Sequence, residues 1–353
     1  MVFYGGKYKK TYRVIKVLFL TLLSCSLLVG AGALFLSHNI RPPEIPTIES
    51  PPVIEIFDLV PGKAEEPEPE LRAPIRFSSE DRKELFFTFL VLGLTVGDNA
   101  NVIMVMSYDA VNQEAHLVSI PRDSLVNANR SIRKIGLAYP NGKLTGDDVE
   151  GGIAQMKREV MSVIGFAPDF YIVIDFAAFE NIIDAIGGVE IDVPIRMRYD
   201  DPFQSLHIDL QPGLQHMDGQ TALHFARYRI GNAGYRTISD YERIENQQAV
   251  IDAALGRLLR PASLLRIGTF IDIFNENVHT DLDALDMLWL AGELNRIRGT
   301  DALTSHTVPT DGTSGHPMWY EILYGPGIVE LVNRTINPFT QDIELEDLDI
   351  IRQ

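Results

Sequence analysis

The segment VLFLTLLSCSLLVGAGALFL, Val17 to Leu36, limits the possible folds more than any other, because it runs for 20 residues without a charge. At about 1.5 Å of helical rise per residue it is long enough to cross the hydrocarbon core of a bilayer. Lys7, Lys9, Lys10, Arg13 and Lys16 precede it and acidic sequence follows. The positive-inside bias therefore predicts residues 1–16 as a cytoplasmic tail, residues 17–36 as a single membrane-spanning helix, and the remainder outside the cytoplasm. A cleaved signal peptide, with the small residues Gly30 to Ala33 at the cleavage site, is the competing reading, and the length of the apolar run disfavours it. The single cysteine, Cys25, lies inside this run, so no intrachain disulfide can form.

Residues 37–80 change character, with Pro42, Pro43, Pro46, Pro51, Pro52 and the run EEPEPE at 65–70. Such a composition predicts an extended extracytoplasmic linker. A folded domain is expected over 81–335 and a peripheral acidic tail over 336–353. The domain opens with apolar runs at 86–94, 102–108 and 115–120, read as three consecutive core strands. A helical pattern at 147–164, a strand at 169–175, a helix near 176–186 and a strand at 189–194 follow. Strands alternating with helices imply an α/β layered domain. Further helices are expected over 239–259, where Ser239 or Asp240 can cap and Pro261 blocks continuation, over 282–295, and near 328–332.

The net charge of −17 argues against nucleic acid as a partner, since phosphate backbones demand a basic face. Any phosphate chemistry must use local cations. Those are concentrated in ALHFARYR, 222–229, and SDYERIENQQ, 239–248. If the chain is extended at Arg227 to Arg229, a period of two sends both guanidinium groups to one side. Asp240, Arg243 and Gln247 are spaced i, i+3 and i+7, which stacks them on one helix face. Several planar guanidinium groups suit a pyrophosphate, although a solvated face with surface ion pairs would explain an isolated arginine pair equally well. SIPRD, 119–123, ends a strand at Pro121 and projects Arg122 and Asp123 from the sheet edge, where α/β sheets commonly bind ligands. No glycine-rich nucleotide loop or serine nucleophile elbow is present, so ATP-driven chemistry lacks support.

Taken in order, VSIPRDSLV, RKIGLAY, DFYIVIDFAAF, DAIGGVEIDVP, YDDP, LQPGLQHMDGQTALHFARYR and DYERIENQQ resemble the LytR-CpsA-Psr family of envelope phosphotransferases, from about Phe86 to beyond Val278. The resemblance implies a mixed central sheet flanked by helices on both faces, preceded by the membrane helix. It also implies transfer of a glycopolymer phosphate from a polyprenyl pyrophosphate carrier to a hydroxyl of cell-wall peptidoglycan, as in the attachment of teichoic acid or capsule. The partners would then be the polyprenyl-linked glycan, peptidoglycan and the membrane. By the family pattern Arg122, Lys134, Arg227, Arg229 and Arg243 would hold the pyrophosphate, with Asp240 and Gln247 positioning them. Phe170, Ile172, Phe176, Phe179 and Ile183 would be either walls of a prenyl pocket or ordinary core.

The chain departs from the family where magnesium is normally held. Two family aspartates are replaced by Thr95 and Asn101, and hard divalent cations prefer anionic oxygen. Asp98 and Asn101 are the remaining candidate ligands for Mg2+. Asn246 stands where many relatives carry arginine. Two alternatives to the transferase therefore stay open, a non-catalytic protein that binds polyprenyl-linked glycan and a polyprenyl pyrophosphate hydrolase.

Overall fold

The computed structural model describes residues 41–46, 76–95, 97–143, 148–202, 206–258, 278–294, 296, 303–314 and 318–351. The expected membrane helix, 17–36, and most of the expected linker lie outside the described residues. Among the described residues no helix is long and apolar enough to cross a membrane. The chain divides into two compact units. The smaller, residues 1–43 and 283–292, is described at 41–43 and from Asp283, whose Oδ1 accepts from the amides of Leu285 and Asp286 at 2.7 and 2.8 Å. The larger unit, 44–282 and 293–353, carries the architecture below.

Its strands, with one helix that begins in the smaller unit, run β1 (Phe86–Leu94), β2 (Ala100–Asp109), β3 (Glu114–Ser119), α1 (Ala138–Gly142), α2 (Val149–Ile164), β4 (Phe170–Ile174), α3 (Phe176–Ala185), β5 (Val189–Val193), β6 (Met197–Asp201), β7 (Leu206–Leu210), β8 (Gly213–Met217), α4 (Gly219–Arg227), α5 (Asp240–Leu258), β9 (Val278–Thr280), α6 (Ala284–Leu294), β10 (Leu303–Thr307), β11 (Thr310–Ser314), β12 (Tyr320–Leu323) and α7 (Gly325–Thr335). Six strands form one mixed sheet in the order β10-β3-β2-β1-β4-β9, with β1 parallel to β4 and antiparallel to β2. The expected central position of the first apolar runs follows from their burial on both faces. Along β1, Leu90, Leu92 and Leu94 face a core shared with Met156 and Val160 of α2 and Ile328 and Val332 of α7. Val91 and Gly93 face the other way, toward a cavity walled by α3, α4 and α5. Helices therefore cover both faces.

The strand expected at 189–194 forms over 189–193 and pairs with β8 in a two-stranded ribbon outside the central sheet. Gly187 and Gly188, at φ 81° and 77°, turn the chain away after α3, and Glu190 and Asp192 point to solvent between buried Val189, Ile191 and Val193. A strand buried on both faces could not accept those carboxylates. This ribbon, the β6–β7 ribbon, α4 and α5 enclose a second core around Ile208, Met217, Phe225 and Tyr228.

One expectation needs correction, and it concerns the ends. Residues 336–350, expected as a peripheral tail, place Ile343, Leu348 and Ile350 in the main core. Phe77, assigned to the linker, stacks on Phe339 with ring centroids 4.3 Å apart. Asn337 and Asn333 tie this return together through the Gln341 and Ile343 backbones. The acidic residues that made the segment look solvated occupy the outward positions between those apolar anchors.

Candidate anion-binding site

Arg122 is positioned by the way β3 ends. After Ser119 the chain turns at Pro121, with the Ser124 amide donating to the Pro121 carbonyl at 3.0 Å. The Arg122 carbonyl then accepts from Gly136 at 2.9 Å, and one guanidinium nitrogen donates to Asn101 Oδ1 at 2.6 Å. Lys134 joins the same loop and meets Asp123 Oδ1 at 2.8 Å. Burial pushes the Asp123 carboxyl up, but the Lys134 hydrogen bond and the Arg122 and Lys134 charges outweigh it and hold the group below its ordinary range. Arg130 braces this loop from behind, pairing with buried Glu159 and donating to the Lys134 carbonyl at 2.6 Å.

The other cations come from α4 and α5. Arg227 is the last residue of α4 and lies over the Phe176 ring, 4.4 Å from its centroid. The extended geometry considered for 227–229 is not adopted: Arg227 is helical, and fully buried Tyr228 ends the helix, so that Arg229 lines the same cavity from the loop beyond it. The Tyr228 hydroxyl donates to the Arg236 carbonyl and closes the loop that bears Arg229. Gly231 is required there, since a Cβ would come within 2.7 Å of that hydroxyl and 2.8 Å of that carbonyl. Tyr228→Phe is expected to cost about 1 kcal/mol in urea denaturation and to weaken anion binding through the loosened loop.

Ser239 caps α5 in a capping box with Glu242, exchanging bonds of 2.9 and 3.2 Å with its side chain and amide. With that role filled, Asp240 is left to gather cations. Its Oδ1 lies 2.9 Å from Arg229 Nε and 3.4 Å from Arg243. The Arg243 side chain is only 8% exposed. Burial, then the charges of Arg122 and Arg229, draw its pKa down to about 10, against the pull of Asp240. Gln247 follows one helical turn on and donates to the Ala226 carbonyl at 3.5 Å. Gln248 bonds Ser119 Oγ and the His306 carbonyl, both at 2.9 Å, which docks α5 on the end of the sheet.

Arg227, Arg229 and Arg243 with Asn101 and Gln247 thus line a cavity of about 440 Å3 whose remaining walls are mostly apolar, among them Ile172, Phe176, Phe179, Ile183, Val250 and Leu255, with Asp175 as an exception. Arg122, Asp240 and Arg243 line a narrow cleft that shares Asn101 and Gln247 with it. Phe170 lies elsewhere, stacked on Phe89 at 5.6 Å. The Nε atoms of Arg122 and Arg243 are buried without a hydrogen-bond partner. Buried donors without acceptors are rare in folded proteins, and both residues line this cleft, whose volume of about 10 Å3 has room for about one water. Four guanidinium groups from three separate segments, gathered beside an apolar cavity, suit a diphosphate attached to a long apolar chain.

A divalent cation does not fit the same donors. Asp98 is paired with Lys143 at 2.8 Å, and Asn101 presents its carbonyl oxygen to Arg122. Thr95 donates its hydroxyl to the Asn99 carbonyl at 3.3 Å. Among the described residues no three His, Cys, Asp or Glu side chains form a group able to hold a metal. The expected pair Asp98 and Asn101 is therefore committed to two different cations, and a metal at Asn101 would lie against a guanidinium. Replacing Thr95→Asp together with Asn101→Asp is expected to raise magnesium affinity in titration calorimetry. Equal affinity of native and double-substituted chains would refute this account of the loop.

The sequence reasoning missed the β11–β12 hairpin, which lies beside the cluster. The Glu321 amide donates to the Asp123 carbonyl at 3.0 Å and its carbonyl accepts from Leu125 at 2.9 Å. No local motif marks the bridge between Glu321 and Ser124, because the two residues are almost 200 positions apart.

Residues 74–336 match the LytR_cpsA_psr family. The chain is 26% identical over 222 residues to the polyisoprenyl-teichoic acid–peptidoglycan teichoic acid transferase TagV of Bacillus subtilis, a match covering 60% of this chain and 54% of that protein. It is 25% identical over 302 residues to the corresponding transferase TagU of Oceanobacillus iheyensis, covering 84% of this chain and 86% of that protein. The crystal structure of B. subtilis TagV superposes with a TM-score of 0.58 at 20% identity, covering 76% of this chain and 98% of that one.

Proposed function

The chain belongs to the LytR_cpsA_psr family, and from that premise we propose that it is a membrane-anchored phosphotransferase, which moves a glycopolymer phosphate from a polyprenyl pyrophosphate carrier to a hydroxyl of peptidoglycan. The observation that carries this reading is the placement of Arg227, Arg229 and Arg243 in the wall of a mostly apolar cavity, with Arg122 in the adjoining cleft that shares Arg243 with it. The guanidinium groups take the diphosphate and the apolar walls take the first isoprenoid units. The transferase names of TagV and TagU support the same reaction class. Residues 17–36 would anchor the chain with its folded part outside the cytoplasm, within reach of both substrates.

Phosphoryl transfer needs little covalent help from a protein and much positioning and charge neutralisation. Fixed arginines supply both. They hold the two phosphates in one orientation, and they neutralise charge as it moves onto the departing polyprenyl phosphate. Asp240 keeps Arg229 and Arg243 from separating under their own repulsion. No step is assigned to a metal, because the donors around Asn101 are engaged with cations of the protein itself.

The mismatch with a divalent cation favours one second reading, a protein that holds the lipid-linked glycan without transferring it. Full-length chain in detergent, incubated with a polyprenyl pyrophosphate-linked glycan and a peptidoglycan acceptor, separates the cases by mass spectrometry. Glycan joined to the acceptor through a phosphodiester is the expected product. Free phosphorylated glycan would mean hydrolysis, and tight lipid retention without turnover would mean a binding protein.

A further inference from the structure

The transferase reading leaves unassigned the group that takes the acceptor's proton. Among the carboxylates near Arg122 and Arg243 are Asp240, Asp123 and Glu321, and the first two are already engaged. Asp240 lies against Arg229 and Arg243, and Asp123 lies against Lys134 and Arg122. A carboxylate saturated by cations is a weak base. Glu321 differs. Among the described residues no cation pairs with it, and its Oε2 accepts only long bonds, 3.4 Å from Thr310 Oγ1 and 3.5 Å from the Tyr241 hydroxyl.

Its placement matches the direction of attack. The apolar cavity adjoins Arg227, Arg229 and Arg243, and the narrow cleft continues from Arg243 to Arg122 and Asp240. Glu321 lines neither, but its backbone is paired with Asp123 and Leu125, on either side of the strand-end turn that carries Arg122, and its carboxylate lies beside Tyr241, the neighbour of Asp240. A diphosphate whose lipid occupies the cavity would direct its glycan-bearing phosphorus toward this end. Displacement at phosphorus is in line, so the acceptor hydroxyl must arrive opposite the leaving lipid phosphate.

Resting on the transferase reading, we propose that Glu321 is the general base that deprotonates the acceptor hydroxyl. As the acceptor oxygen bonds to the glycan-bearing phosphorus, its proton passes to a Glu321 carboxylate oxygen. The bond from that phosphorus to the bridging oxygen breaks, and polyprenyl phosphate leaves with the electron pair beside the arginines. The proton on Glu321 is then released to solvent. The groups facing Glu321 are Asp240 and Tyr241 from α5, Asp123 from the loop after β3, and Thr310 from β11. Burial first, and then the charges of Asp240 and Asp123, raise its proton affinity against the Thr310 and Tyr241 hydrogen bonds, which is the direction a base requires.

The test uses full-length native chain, Glu321→Gln and Glu321→Ala, with a polyprenyl pyrophosphate-linked disaccharide as donor and a soluble peptidoglycan fragment as acceptor. Glu321→Gln is expected to lower kcat by roughly 10²–10⁴-fold while donor affinity stays native. Sodium formate, a small carboxylate able to enter the vacated space, is expected to restore part of the rate of Glu321→Ala and none of that of Glu321→Gln. Native turnover by Glu321→Gln overturns the assignment alone. Loss of rate together with donor binding, and no response to formate, also overturns it, because Glu321 would then be structural. A native chain that binds donor but transfers nothing overturns the transferase reading and the base with it.

Discussion

Arg243→Met is expected to abolish transfer and, at neutral pH, to make the unliganded protein more stable. The two effects have one cause. Arg243 is almost fully buried, its Nε lacks a partner, and Arg122 and Arg229 add like charge around it. A depressed folded pKa for a basic group means that the folded protein holds the proton less firmly than the unfolded chain does. The penalty is therefore present in full below about pH 10 and eases only as pH rises beyond that value. Methionine removes the charge and keeps most of the volume. Asp240 retains Arg229 at 2.9 Å, so the substitution strands no carboxylate. The net of burial and like charge on Arg243 opposes its charged form, so removing that charge while Arg229 stays on Asp240 should raise stability, by an amount on the order of 1 kcal/mol. The catalytic loss should be far larger, since a single arginine stabilising a phosphoryl transition state is worth roughly 10³–10⁵ in rate. Thermal melts and transfer assays on one preparation check both signs. A variant that melts lower and still transfers would refute the cradle.

Ala254→Trp should produce a large effect of a different kind, on binding rather than on turnover. Ala254 lines the apolar cavity from α5, so an indole there competes with the lipid chain for its volume of about 440 Å3. At about 0.8 kcal/mol per buried methylene, displacing one isoprenoid unit forfeits roughly 3–4 kcal/mol, or 10²–10³-fold in affinity for a long-chain pyrophosphate. A water-soluble sugar pyrophosphate without the chain should bind native and substituted proteins alike, because the arginines are untouched. Fluorescence titration with both ligands measures the contrast. Equal loss for the two ligands would mean that the tryptophan had distorted the arginine cluster.

Much of this site can be read from the chain because its parts are local. The S-x-x-E box at Ser239 starts α5 in the expected register, so Asp240, Arg243 and Gln247 share a face. Pro121 ends β3 where its fixed backbone demands. Elsewhere local pattern fell short. Val189, Ile191 and Val193 alternate with acids, which marks a strand but not its partner β8. The acids beyond Thr340 concealed Ile343, Leu348 and Ile350, each too isolated to register as an apolar run. Arg227 and Arg229 converge as expected but for another reason, a helix end followed by buried Tyr228.

By itself the sequence determined which segments become strands and helices, since apolar periodicity, caps and prolines act over a few residues. It also determined that any anion here would be held by guanidinium groups, because arginines are concentrated in an otherwise acidic chain. Only the tertiary structure decided that Arg122 reaches Asn101, that Gln248 docks on Ser119 across 129 positions, and that Glu321 settles beside Asp123. Such contacts arise from the packing of whole elements against two cores, and no local preference of either partner encodes them.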